Sequence, residues 1–206
     1  MPEPDLPLAL ATTVAVALPF ALTAAAAVAV AYVLGTLPAA HLAARRHGVD
    51  PTAVGSGNPG TTNVLRNVGR TAGLLTLAGD LGKGAAAAGL GWAVDGRTLA
   101  VACGAAAVVG HVAPVTRGFR GGKGVATGVG MALATFPLAA AVGIALFAGT
   151  WAVLRRSSVL QEAGIVAMPV VAGLTGADVA QLLGVALVAA LIVVRLHVPA
   201  TVVPRS

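Results

Sequence analysis

Charge is scarce in this chain, and acid is scarcer than base. Only 10% of its 206 residues are Asp, Glu, Lys or Arg, against roughly 25% in a soluble domain, and 7 of them are acidic. Such a surface cannot cover a water-soluble fold of this size. Aromatic residues make up 3%, which leaves no stacking platform for nucleic acid despite a net charge of +6. The lone cysteine, Cys103, lies in an Ala/Val-rich run and excludes both an intrachain disulfide and a thiolate metal cluster. It reads as a small packing residue. Nothing in the sequence calls for a metal or another cofactor. The segment Met1-Pro2-Glu3-Pro4-Asp5-Leu6 lacks the basic start of a secretory signal, so the first apolar stretch is expected to persist as a helix.

What fills the chain is apolar: 57% hydrophobic residues, with a mean hydropathy of +0.91. The apolar runs are continuous rather than alternating, which excludes a transmembrane barrel and predicts an all-α, polytopic integral membrane protein. One membrane-embedded domain is expected over 1–206, with 1–22 as an N-terminal extension. Apolar segments fall at about 14–44, 73–94, 98–116, 124–136, 138–154, 163–176 and 178–196, giving about seven spans. Segments 124–136 and 163–176 are shorter than the roughly 20 residues an upright span needs, so they are expected to tilt, to be shielded by protein or to be partly re-entrant. Alternating crossings put Arg45, Arg46, Arg66, Arg70, Arg117, Arg120, Lys123, Arg155, Arg156, Arg195 and Arg205 on one side and Arg97 on the other. The positive-inside rule then predicts an outer N-terminus and a cytoplasmic C-terminus in a cell membrane.

Two glycine-rich segments interrupt the apolar pattern, and both fall on that basic side. The first, Gly55-Ser56-Gly57-Asn58-Pro59-Gly60-Thr61-Thr62-Asn63, leads through Val64 and Leu65 to Arg66 on a short helix. The second, Gly121-Gly122-Lys123-Gly124, precedes a helix with Thr127 in its first turn. Glycines let backbone N–H groups approach an anion, and Lys123 adds a point charge. The alternative for the first segment is a plain surface loop, since Gly, Asn, Pro and Ser are ordinary turn residues, but the density of donors favours an anion site. The second is not a Walker A loop, because the spacing from Gly118 and the residue after Lys123 are both wrong. Asp80 and Lys83, three apart on one helix, are placed to pair, either as a structural ion pair or as functional groups. His111 ends a span beside the second segment, His197 and Arg195 end the last, and Ser158 follows the tandem arginines. His41 and His47 read as interfacial.

With these residues in place, the stretch from Ala31 to Gly35, the first glycine-rich segment through Arg66, Asp80-Leu81-Gly82-Lys83-Gly84, and the run from Gly110 to Thr127 closely resemble the PlsY-type glycerol-3-phosphate acyltransferases. The resemblance implies transfer of an acyl group from acyl phosphate to glycerol 3-phosphate, giving lysophosphatidate and inorganic phosphate. It also implies a lipid bilayer as surroundings and an acyl-phosphate-producing enzyme as a partner. Gly55, Ser56, Gly57, Asn58, Thr61, Asn63 and Arg66 would form one phosphate-binding turn, and Gly121, Gly122, Lys123, Gly124 and Thr127 the other. His111, Ser158 and Arg195 would complete substrate binding. Ser56, Arg66, Lys123 and His197 would act in catalysis. The family's closing Arg-His and Asn-Ile pattern is altered, since Arg195-Leu196-His197 is followed by Val198-Pro199-Ala200 without asparagine. A second family serine is replaced by Gln161 or Glu162. An acyl phosphate is already activated, so a covalent nucleophile is not required, and none is evident. None of the four histidines has Asp five positions later, which separates the chain from acyltransferases that carry a His-x4-Asp signature. Two other readings fit the same features: a relative that uses another acceptor or only binds anionic lipid, and a transporter with a phosphate site on its cytoplasmic side.

Overall fold

The computed structural model describes residues 6–154 and 158–198. These form eight α-helices and one 3-10 turn, with no strand among the described residues: α1 (Leu6–Gly35), α2 (Ala39–Arg45), α3 (Thr61–Asn67), α4 (Arg70–Val112), the 3-10 turn Val115–Arg117, α5 (Val125–Thr135), α6 (Pro137–Leu154), α7 (Ser158–Leu174) and α8 (Val179–His197). The first apolar stretch is divided. α1 begins at Leu6, keeps Pro19 inside it and stops at Gly35, and the separate α2 follows Pro38.

α4 is two helices in fact. Asp95 (φ −158°, ψ 48°) and Gly96 (φ 67°, ψ −159°) leave helical geometry, and a left-handed φ is one that glycine adopts without strain. Gly91 packs on Ala100, and Asp80 reaches His111, pairs placed symmetrically about the 95–96 turn. The two arms therefore form an antiparallel hairpin. α8 runs alongside the second arm in the same direction: Gln181 Nε2 donates to Thr98 Oγ1 (3.1 Å), and Gly184 meets Val101. Asp178 starts α8 with a capping box, accepting the Gln181 N–H at 2.8 Å. α6 and α7 are antiparallel, with Gly143 against Met168 and Gly164 near Phe147.

Close approach between helices depends on small residues, as in other membrane bundles, where dispersion and backbone proximity replace the hydrophobic drive. A methyl on Gly84 would collide with the Thr127 carbonyl, and one on Gly130 with the Leu81 carbonyl, so the first arm of α4 and α5 cross backbone to backbone. Ala27, Ala31, Ala87, Cys103 and Ala107 pack α1 onto the hairpin, and Cys103 is fully buried. Outward-facing residues such as Leu74, Val109, Val166 and Leu187 remain exposed and form an apolar perimeter. The chain is a membrane protein by these features.

The bundle has two unlike ends. One gathers the 95–96 turn, Trp92 (whose indole donates to Ala134 O at 3.1 Å), Arg97 stacked 5.1 Å from the Phe136 ring, and the start of α8. The other gathers the ends of α1, the second arm of α4 and α8, together with both glycine-rich loops. α5, at 11 residues, is only about 16 Å long, about half of a bilayer's hydrocarbon thickness. It is sheltered by the hairpin, α7 and α8, as its short length requires.

Candidate active site

The first loop is shaped by Asn63, a buried residue in the first turn of α3. Its Oδ1 accepts the Ser56 N–H (3.0 Å), and its Nδ2 donates to the carbonyls of Pro51 (2.8 Å) and Val54 (3.1 Å). Asn67 Nδ2 donates to Asn63 Oδ1 at 3.0 Å. The Asn63 amide is thus consumed in holding the loop and offers little to a ligand. Gly55 (φ 56°) and Gly57 (φ 69°) carry the reversals. Ser56 is exposed, its Oγ accepting the Asn58 N–H at a long 3.4 Å. Pro59 is buried, and Thr61 presents a buried Oγ1 without a partner. Arg66 stands exposed in the last turn of α3.

The second loop is anchored on both flanks. The Gly122 N–H donates to His111 O (3.2 Å), while the Gly121 carbonyl accepts from the Arg195 guanidinium (3.3 Å) and Lys123 Nζ lies 3.5 Å from Leu196 O. Gly124 caps α5 at φ 84°. Through these two contacts the Gly121–Gly124 loop and the end of α8 are tied to each other. Thr127, by contrast, is fully buried, and its Oγ1 pairs with His111 Nδ1 at 3.2 Å. It supports the histidine instead of facing solvent.

His111 belongs to a buried network. Asp80 Oδ1 lies 2.8 Å from Lys83 Nζ and 3.3 Å from His111 Nδ1, and Lys83 also donates to Leu37 O at 3.1 Å. One carboxylate therefore ties the end of α1, both arms of α4 and, through the His111 carbonyl, the Gly121–Gly124 loop. The pairing expected from the spacing of Asp80 and Lys83 is present, and its partners place it beneath the second loop.

At the end of α8, His197 Nδ1 lies 3.0 Å from the Val193 carbonyl, an arrangement in which the ring N–H donates, and Nε2 faces Glu162 at 3.3 Å. The Glu162 carboxylate is thus the acidic group that faces the ring's outer nitrogen. This acid occupies the region where sequence resemblance pointed to a replaced serine. The side chain of Ser158, together with Arg155 and Arg156, lies outside the described residues.

A polar pocket joins the two loops, lined by Leu37, Pro38, Ala39, Ala40, Pro59, Asp80, Lys83, His111, Arg117 and Gly122. An apolar groove runs between α5, α7 and α8 from Val125, two residues after Lys123, past Gly128, Ile192 and Val188 to Met131 and Met168. Sequence reasoning missed two members of the polar side. Arg117, counted only as a topology charge, lines the pocket, and its Nη1 lies 3.2 Å from His41 Nδ1. His41, read as interfacial, in turn faces Asp50 at 3.8 Å. Asp50 accepts the Thr52 N–H and hydroxyl at 2.8 and 2.7 Å, and these bonds hold its carboxyl below the usual carboxylate range. Among the described residues no group of three or more His, Cys, Asp or Glu is arranged to hold a metal ion.

Comparison with known proteins agrees with this architecture. The family model for glycerol-3-phosphate acyltransferase matches residues 25–201. A glycerol-3-phosphate acyltransferase of Geobacter sulfurreducens is 44% identical over 172 residues, covering 81% of this chain and 86% of the relative. That of Rubrobacter xylanophilus is 47% identical over 136 residues, covering 66% and 67%. Two crystal structures of PlsY, an integral membrane glycerol 3-phosphate acyltransferase, superpose with a TM-score of 0.79, one in its glycerol 3-phosphate form (33% identity, 84% of this chain and 87% of that one) and one in its lysophosphatidic acid form (32%, 84% and 88%). With motifs, fold and extent of match in accord, the chain belongs to the glycerol-3-phosphate acyltransferase family.

Proposed function

We propose that this protein transfers a fatty acyl group from acyl phosphate to the hydroxyl of glycerol 3-phosphate, releasing lysophosphatidate and inorganic phosphate at the cytoplasmic face of a cell membrane. The observation that carries this reading is the meeting of two glycine-hinged, cationic loops with an apolar groove at one end of the bundle. Two phosphate-bearing substrates repel each other, and Arg66, Lys123 and Arg195 supply the charge that offsets that repulsion. The groove beside Val125 suits an acyl chain whose activated end lies at Lys123. The glycerol 3-phosphate and lysophosphatidic acid forms of PlsY support the acceptor and product. The positive-inside rule supports the orientation, since the loop-bearing end holds Arg66, Arg70, Arg117, Arg120, Lys123 and Arg195 while the other holds Arg97.

In the reaction the acceptor hydroxyl oxygen bonds to the acyl carbon, and the bond from that carbon to the phosphate oxygen breaks, its electron pair leaving with phosphate. The hydroxyl proton passes to a phosphate oxygen or to the His197–Glu162 pair. Lys123 and the loop backbone stabilise the leaving phosphate, and Arg195 holds the phosphate of the acceptor. No covalent enzyme intermediate is needed. Detergent-purified protein supplied with a long-chain acyl phosphate should release phosphate only when glycerol 3-phosphate is added. Release independent of acceptor, or none with either, would overturn the proposal.

A further inference from the structure

The polar pocket between the loops holds more positive charge than it balances. Its one carboxylate, Asp80, is shared by Lys83 (2.8 Å) and His111 (3.3 Å). Arg117 also lines the pocket, half-buried, and among the described residues no carboxylate pairs with it. Its Nε is buried without a hydrogen-bond partner. The contact it does make is with a ring nitrogen: Nη1 to His41 Nδ1 at 3.2 Å, with His41 turned toward Asp50 on its other edge. A guanidinium always carries its charge and presents a planar fork suited to phosphate oxygens, and a buried donor left unmade is costly. Holding such a group at the pocket wall next to Gly122 is a sound arrangement only if an anion joins it there.

We infer that Arg117, oriented by His41, binds the terminal phosphate group of one of the two substrates in the pocket between Pro59 and Gly122. The inference rests on the proposed reaction for the source of the phosphate, though not for its chemistry, because acyl phosphate, glycerol 3-phosphate and inorganic phosphate present the same terminal oxygens. Arg117 thereby adds a cation to Arg66, Lys123 and Arg195, on the α1–α2 side of the second loop. His41 is a positioning residue: its Nδ1 accepts from Arg117 and fixes the direction of the fork. The chain from Arg117 through His41 to Asp50 also joins the second loop to the turn that leads into the first, so the two loops are set relative to each other by the same contacts.

The test uses the full-length purified protein and inorganic phosphate as probe. Phosphate should raise the temperature at which buried Cys103 becomes reactive to a thiol dye, and Arg117→Gln should need roughly tenfold more phosphate for the same rise, the size of one lost charge-assisted bond. In kinetics the same variant should raise KM for acyl phosphate or for glycerol 3-phosphate, and whichever moves identifies the source. His41→Ala should weaken phosphate binding several-fold, whereas His41→Asn, which keeps an acceptor near the Nδ1 position, should restore it. An unchanged phosphate midpoint in Arg117→Gln overturns the inference, and equal loss in both His41 variants overturns the positioning role. If Arg117→Gln cannot be purified folded, an unchanged midpoint in His41→Ala decides against it. Phosphate binding that depends on Arg117 in a wild-type protein without acyltransferase turnover would sink the proposed function and leave this site standing.

Discussion

Removing Asp80 should unfold the site more than any single loop substitution. In the native protein the side chains of Asp80 and Lys83 are each 4% exposed and that of His111 is 8% exposed, and the Lys83 ammonium and the His111 ring share one carboxylate oxygen. In Asp80→Ala, Lys83 retains the Leu37 carbonyl at 3.1 Å as its hydrogen-bond acceptor and remains buried without a counter-charge. Breaking a buried pair in this way costs about 3–5 kcal/mol. For a chain of this size each kcal/mol moves the melting temperature by about 2–4 °C, so a fall of roughly 6–20 °C is expected. Cys103, fully buried and the only cysteine, supplies the assay, because a thiol-reactive dye reports its exposure on heating. The paired change Asp80→Leu with Lys83→Met removes both charges at similar volume and should recover most of the loss. It should not recover turnover, because His111 would lose the contact that sets its ring and, through its carbonyl, the Gly122 amide. A fall below about 2 °C in Asp80→Ala would refute the energetic argument, and full activity in the paired variant would refute the positional one.

Lys123→Ala should abolish phosphate release while leaving the dye-monitored melting temperature within a few degrees, and Arg66→Lys should recover only part of the activity lost in Arg66→Ala, since an ammonium cannot form a bidentate phosphate contact. Arg195→Ala should raise KM for glycerol 3-phosphate more than it lowers kcat, because it removes ground-state anion binding along with the Gly121 contact; a change confined to kcat would contradict this. In a Cys103→Ala background, cysteines at Thr62 and Asp95 should react with an impermeant thiol reagent from opposite sides of the membrane, and labelling from one side would contradict the alternating path of the helices.

Much of the fold is legible because apolar runs broken by a few polar residues leave little choice in lipid. The break at Asp95-Gly96-Arg97 separates two spans whatever packs against them, and the structure turns there. Boundaries were less legible where proline was involved: Pro19 sits within α1, whereas Pro38 ends the first stretch and begins α2. In the site, the loops and their cations follow from local composition, but the use of each side chain depends on contacts distant in sequence. Asn63 looks like a ligand donor in its motif and is instead spent on Pro51, Val54 and Ser56. His111 meets Asp80 because both lie the same distance from the hairpin turn, a relation hidden until the turn is placed. Arg117 and His41 are 76 residues apart, and no local pattern joins them.

The central claim is that two phosphate-bearing substrates are brought together at the loop end of the bundle and exchange an acyl group. Purified protein reconstituted in liposomes, supplied with acyl phosphate and isotopically labelled glycerol 3-phosphate, should form labelled lysophosphatidate and inorganic phosphate in equal amounts. Phosphate released without labelled lysophosphatidate, or label appearing in lipid without phosphate release, would contradict the account.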